Sequence, residues 1–257
     1  MQSKMPLFIS LLFLLAGEGS LFFPSLRIIF ALTAIAAGVI AFLTWHLRFM
    51  PTLLLSGLVV FSGIAFFLFA FPADATVEYL NIISHLFIFG WALVLWLALE
   101  ERVRASRGIA VGLNRIQAIL FIVLFLLFAA VFYAAGAPFF IRGEFLLIIV
   151  ALCEAIAMYI RLEGHIRASA LKVSDRRIMV YSFSAAMLMA EAFFVISFWP
   201  FAPLTIAAVL ITMDYALANL FIRFFRSNLR LLDILKVASV VTIVVLATLI
   251  RGPWFPR

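Results

Sequence analysis

Apolar residues follow one another in long runs of roughly 20 residues, and short polar segments separate these runs. A helix needs about 20 such residues to cross the hydrocarbon core of a bilayer, which is about 30 Å thick. The strands of a membrane β-barrel would instead show alternating segments of about 10 residues. The pattern therefore predicts an all-α fold, a polytopic bundle of membrane helices.

Nine runs can be delimited, most of them bounded by proline, glycine or charged residues. The first run could be a retained helix or a cleaved signal peptide, and eight helices would remain after cleavage. Because no polar segment is long enough to fold by itself, we expect a single membrane domain over residues 1–257. The nine runs cover residues 5–23, 25–45, 51–71, 78–99, 116–136, 143–160, 178–199, 203–221 and 234–250.

The composition is also that of a membrane protein. Hydrophobic residues make up 67% of the chain and charged residues 12%, whereas soluble domains carry about 45–50% and about 25%. The one cysteine, Cys153, has no partner for an internal disulfide. Its apolar surroundings favour the role of a small buried hydrophobic residue over that of a reactive thiol.

The net charge of +7 is better explained by membrane orientation than by nucleic-acid binding. Of the 19 Lys and Arg residues, 15 fall in the N-terminal segment and in every second loop. The positive-inside rule then predicts a cytoplasmic N-terminus and an outer C-terminus in a multi-pass protein of the bacterial inner membrane. Seven of these bases are expected to bind anionic lipid headgroups: Arg102, Arg104, Arg107, Arg167, Lys172, Arg176 and Arg177.

Three acidic residues, Glu154, Glu191 and Asp214, lie deep inside apolar runs. An ionised side chain there costs about 2.5–3.5 kcal/mol on insertion scales, so each acid needs a specific role. No Lys or Arg is expected at the same depth. Three interpretations remain open: a shared proton or cation site, neutral acids hydrogen-bonded between helices, or pairing with an Arg or Lys of another protein's membrane helix.

A smaller polar group, Asn81, Ser84 and His85, shares one face of the fourth run near its predicted outer end. It could be a ligand site or proton relay, but a histidine bonded to a nearby loop is the favoured interpretation. The other two histidines, His46 and His165, are predicted at the opposite membrane face. We therefore expect no metal, no haem and no other cofactor.

Motifs of hydrolases, metalloproteases and nucleotide-binding proteins are absent from the sequence, which argues against an enzyme. The segment from Ala190 to Phe201 combines an acid, neighbouring aromatic residues and a Trp199-Pro200 turn. In this pattern it resembles uncharacterised polytopic membrane proteins of reduced-genome bacteria. The resemblance implies only that Glu191 and the Trp-Pro turn belong to a recurring helical hairpin.

Two functions are compatible with these features. The first is a noncatalytic integral membrane subunit or scaffold of a larger complex, whose buried acids pair with partner helices. The alternative is a small secondary transporter or proton-coupled or cation-coupled carrier that uses Glu154, Glu191 and Asp214. Short loops and acids without internal cationic partners favour the subunit, as does the lack of two related halves in the sequence.

Overall fold

A computed structural model describes eight helices of this chain, and in the described ranges all regular structure is helical. The predicted second run, 25–45, lies outside the described residues. The described residues are 5–22, 49–70, 78–106, 113–136, 143–169, 173–199, 201–226 and 229–251. The helices are α1 (Met5–Phe22), α2 (Phe49–Ala70), α3 (Glu78–Ser106), α4 (Leu113–Gly136), α5 (Gly143–Ala168), α6 (Asp175–Ser197), α7 (Pro203–Phe225) and α8 (Leu231–Arg251).

Six of these helices, α3 to α8, contain segments that are long and apolar enough to cross a membrane. Helices α1 and α2 contain shorter apolar stretches, Pro6–Gly19 and Leu54–Phe67. The prediction of an all-helical, multi-pass membrane protein is therefore confirmed at this level. The number of nine helices and the orientation of the termini stay predictions.

The backbone forms two compact units, Met1–Ile119 and Leu120–Arg257. In the first unit, α3 packs against α1 and α2. The indole N–H of Trp91 donates a hydrogen bond to the carbonyl oxygen of Val59, 2.9 Å away. Trp91 lies so close to Gly63 that a Cβ there would overlap the indole ring. The absence of a side chain at Gly63 therefore permits this contact between α2 and α3.

In the second unit, α7 contacts α5, α6 and α8, and α5 packs along α6. Ala185 on α6 and Ala218 on α7 are buried in this unit, and such small side chains allow helices to approach closely. None of the spanning segment of α8, Leu231–Ile250, is buried inside the described part of the chain. The core between α5, α6 and α7 is formed by Met158, Leu162, Ile166, Ile178, Ala185, Ala218 and Ile222.

Several helices continue beyond the apolar runs, so the predicted ends at residues 99 and 160 are wrong. Helix α3 extends to Ser106 and α5 to Ala168. Backbone hydrogen bonding does not stop where the hydrophobic segment ends, and charged residues are good helix formers. In the extension of α3, Nη2 of Arg104 lies 2.8 Å from Oε1 of Glu100, a pairing between successive turns that stabilises a helix.

Candidate functional site

A buried ion pair joins α5 to α7 in the second unit. The guanidinium of Arg161 donates a hydrogen bond from Nη1 to Oδ1 of Asp214. Only 3% of the Arg161 side chain is exposed, and none of the Asp214 side chain. Charge-assisted hydrogen bonds of this kind are stronger than neutral ones, and breaking a buried pair leaves an uncompensated charge.

The predicted run 143–160 leaves Arg161 in the following loop, and that placement is wrong. It lies inside α5, which continues through Leu162 and Ile166, both buried. Arg161 follows Glu154 by seven residues, which is nearly two full turns, so the two side chains project from the same face of the helix. The sequence contains this spacing, but the predicted run ends at residue 160, directly before Arg161. Asp214 thus has a cationic partner within its own chain.

The carboxyl group of Glu154 lies beside this ion pair. Its side chain is fully buried and lies close enough to Arg161 and Asp214 to interact electrostatically with both. Neither oxygen of Glu154 nor Oδ2 of Asp214 accepts a hydrogen bond from a donor among the described residues. Two carboxyl groups can form a hydrogen bond with each other only when one of them carries a proton, since an ionised carboxylate has no donor.

We call Glu154, Arg161 and Asp214 the acid–arginine cluster. With both carboxyl groups ionised, the cluster carries two negative charges against one positive charge, and the excess charge is buried in spanning helices. Such an excess is costly where water does not solvate it. Binding one proton between the carboxyl groups removes the excess charge and joins two of the three free oxygens by a hydrogen bond.

A proton suits the cluster better than a metal ion. In the described residues there is no group of three or more His, Cys, Asp and Glu side chains that could hold a metal. Calcium and magnesium require about six or more oxygen ligands, whereas the cluster offers only three oxygens without a hydrogen bond. The arginine beside them also repels a second cation.

Glu191 is not part of the cluster, although the sequence placed it with Glu154 and Asp214. It lies on the exposed face of α6, together with Leu188 and Val195. The buried face of α6 contains residues two positions away from Glu191, and a shift of two positions turns a helix by about 200°. The structure thus brings two of the three predicted acids together and leaves Glu191 outside.

The polar group near the start of α3 forms a contact within the first unit. Nδ1 of His85 lies 2.5 Å from Oε2 of Glu18 on α1, and Ser84 is buried. This partner lies in a helix, because α1 continues beyond Glu18 to Phe22. A loop partner of His85 stays a prediction. The side chain of Asn81 lies outside the described residues.

The predicted headgroup-binding bases fall into three groups. Arg104 forms ion pairs with Glu100, at 2.8 Å, and with Glu101, at 3.9 Å. Arg176 and Arg177 are exposed in the first turn of α6. The side chains of Arg102 and Arg167, and residues Arg107 and Lys172 as a whole, lie outside the description.

No protein-family model, curated protein or solved structure matches the chain. The resemblance around Glu191 and the Trp199-Pro200 turn stays a prediction, and the function must be argued from the cluster itself.

Proposed function

We propose that this protein is a proton-coupled membrane carrier whose proton-binding site is the acid–arginine cluster. The supporting observation is the fully buried Glu154 carboxyl, which has no hydrogen-bond donor and lies beside the Asp214 carboxyl in spanning helices. An intramembrane acid without a donor is costly to maintain, and such residues are typical of proton relays in pumps and transporters. The carrier was the alternative in the sequence analysis, and the internal pairing of Asp214 with Arg161 now favours it over the subunit.

The cluster can couple proton binding to helix movement in the following way. With a proton between Glu154 and Asp214, the guanidinium of Arg161 balances the one remaining negative charge, and α5 and α7 are held together. When the proton leaves, two carboxylates compete for one guanidinium and repel each other in a medium of low dielectric constant. The two protonation states therefore favour different arrangements of α5 against α7, as alternating access requires.

We assign the carrier nine spanning helices, a cytoplasmic N-terminus and a location in the bacterial inner membrane. The alternation of basic and base-poor loops supports this topology. In this topology α5 and α7 run in the same direction, and the cluster lies roughly 16 Å from the start of either helix, taking Glu154 and Asp214 at 1.5 Å per residue. That depth is near the middle of the bilayer.

Infrared spectroscopy of the purified full chain tests the proton site directly. A buried protonated carboxyl has a C=O stretching band separate from that of carboxylates, and this band shifts in deuterium oxide when the proton exchanges. We expect the band in the wild-type protein at neutral pH. It should disappear in Glu154→Gln, because Gln carries no titratable proton, and persist in Glu191→Gln, whose acid is exposed on another face.

The matched Glu191 variant makes the result specific to the cluster, since both substitutions replace one Glu by Gln in a spanning helix. A spectrum without any protonated carboxyl band between pH 5 and 8 would contradict the proposal. So would a band that survives in both Glu154→Gln and Asp214→Asn.

A second candidate function is the noncatalytic subunit of a larger membrane complex, and Glu191 is the observation that favours it. Glu191 is exposed in the spanning segment Asp175–Ser197 and has no hydrogen-bond or ion-pair partner among the described residues. A lipid-exposed carboxylate is costly, and a membrane helix with an Arg or Lys would offset that cost. The fully unburied α8 offers further surface for such an assembly.

Purification in mild detergent tests the subunit function. We expect the wild-type chain to retain a stoichiometric partner with an intramembrane Arg or Lys, and Glu191→Gln to lose this partner while the chain itself stays folded. Glu154→Gln serves as the control. Because Glu154 is buried within the chain, its substitution should leave the complex intact. A monomeric wild-type protein, or a complex that survives Glu191→Gln, would argue against this function.

A further inference from the structure

A cavity of about 1020 Å³ lies where α6 begins and α7 ends, in the second unit. Its volume is at the upper end of the range of about 300–1,000 Å³ found for small-molecule sites. The polar residues Ser174, Arg176 and Arg177 line the cavity, and we call them its polar side. The aromatic residues Tyr181, Phe224 and Phe225 also line it, and we call them its aromatic side. The cavity shares no residue with the acid–arginine cluster.

The polar side of the cavity is suited to an anion. Arg176 and Arg177 are exposed, and their guanidinium groups form no hydrogen bond or ion pair with other described residues. The side chain of Ser174, the N-cap residue of α6, makes no capping hydrogen bond, and the N–H groups of Arg177 and Ile178 bond instead to its carbonyl oxygen. Asp175 is the one acid of the first turn, and the two arginines leave this turn positively charged. Arginine binds phosphate oxygens with two parallel hydrogen bonds.

The aromatic side of the cavity is held in place by its own packing. The ring of Tyr181 lies 5.4 Å from that of Phe224 and 4.9 Å from that of Phe225, between centroids. Tyr181 and Phe225 also pack against the core between α5, α6 and α7. The wall is therefore a preformed apolar surface beside two free guanidinium groups, an arrangement that matches a ligand with a charged head and an apolar chain.

We infer that this cavity binds a phosphate-bearing amphiphile, with the phosphate between Arg176 and Arg177 and the apolar chain against Tyr181 and Phe224. The site stands at the end of the spanning segment Asp175–Ser197, the depth at which lipid headgroups lie. The same phosphate chemistry is offered by an anionic phospholipid of the bilayer and by a free phosphate ion. The experiment separates these two sources.

Binding is measured on the purified full chain in a neutral detergent, by the quenching of intrinsic fluorescence during titration. The probes are short-chain phosphatidic acid, zwitterionic short-chain phosphatidylcholine and inorganic phosphate. We expect phosphatidic acid to bind, and the double variant Arg176→Gln/Arg177→Gln to weaken this binding about 10-fold or more, since two charge-assisted contacts are lost. The control Arg226→Gln/Arg230→Gln removes the same charge outside the cavity lining and should change the affinity less than about twofold.

Two further comparisons identify the ligand source. If Phe224→Ala weakens the binding of phosphatidic acid but not that of inorganic phosphate, the site binds the phosphate group of a lipid. If inorganic phosphate displaces phosphatidic acid at equal concentration and Phe224→Ala does not change the binding of phosphatidic acid, the site binds free phosphate. That result would overturn the inference that the ligand is an amphiphile. Equal binding of phosphatidylcholine, or unchanged affinity in the Arg176/Arg177 double variant, would overturn the anion site as a whole. Phe224 is exposed, so its truncation tests the wall without disturbing the core.

Discussion

Replacing Arg161 with Gln is expected to destabilise the protein by about 3–5 kcal/mol, the cost of breaking a buried ion pair by removing one partner. The Asp214 carboxyl would then lie fully buried beside Glu154 without a cation. Gln can donate a neutral hydrogen bond in place of the charge-assisted one. The neutral bond is only about half as strong as the charge-assisted bond. The measurement is the free energy of unfolding of the full chain in mixed micelles, followed by circular dichroism.

Two variants control this result. The exposed Arg230→Gln removes one positive charge without breaking a buried pair and should change the free energy of unfolding by less than about 0.5 kcal/mol. The double variant Arg161→Met/Asp214→Leu removes both partners and should lose clearly less stability than Arg161→Gln alone. The Glu154 carboxyl stays buried in this variant, but it is neutral once it binds a proton, whereas Arg161→Gln leaves two carboxyl groups beside each other without a cation. If Arg161→Gln is no more destabilising than Arg230→Gln, the ion pair does not hold α5 and α7 together.

The second large effect is expected in transport, where Glu154→Gln should lower proton-coupled flux by about 100-fold or more, as for the loss of a proton-transferring side chain. Gln has nearly the shape of Glu and its amide can donate a hydrogen bond to the free Oδ2 of Asp214, so the fold should be retained. The assay uses proteoliposomes that contain a pH-sensitive dye. A panel of sugars, amino acids and organic anions is added, and solute-dependent changes of internal pH are recorded.

The matched control is again Glu191→Gln, which should keep its flux because Glu191 lies outside the cluster. Glu154→Asp keeps the titratable group but shortens the side chain, and we expect partial activity from it. Equal flux in Glu154→Gln and wild type would eliminate the cluster as the coupling site. The absence of any solute-dependent proton movement in the wild-type protein would contradict the carrier and leave the subunit as the remaining candidate.

The membrane fold follows from local features of the chain, and these were predictable. An apolar run of about 20 residues must form a helix in a bilayer because every backbone N–H and C=O has to be satisfied within the segment. The predicted run 203–221 thus corresponds to α7, with Pro203 at its first turn, and the run 116–136 lies within α4. The helix ends were less predictable, because charged turns extend α3 and α5 beyond the hydrophobic boundary.

The candidate site was only partly predictable. Glu154 and Asp214 stand out in any hydropathy pattern because acids are rare inside such runs. Glu191 stands out equally, yet it faces away from the chain's own core. Arg161 was not predicted as part of the site, because a basic residue at the end of an apolar run usually marks the start of a loop. Its seven-residue spacing from Glu154 nevertheless places the two residues on one face of a continuous helix.

The sequence by itself determined that this is a multi-pass helical membrane protein with acids inside its spanning segments, because hydrophobicity and helical hydrogen bonding act over neighbouring residues. Only the tertiary structure decided which acids meet. Whether Asp214 pairs with Arg161, 53 positions earlier, and whether Glu191 faces core or lipid, depends on how the helices are rotated and packed. That rotation is set by side-chain packing between distant segments, and no single run contains it.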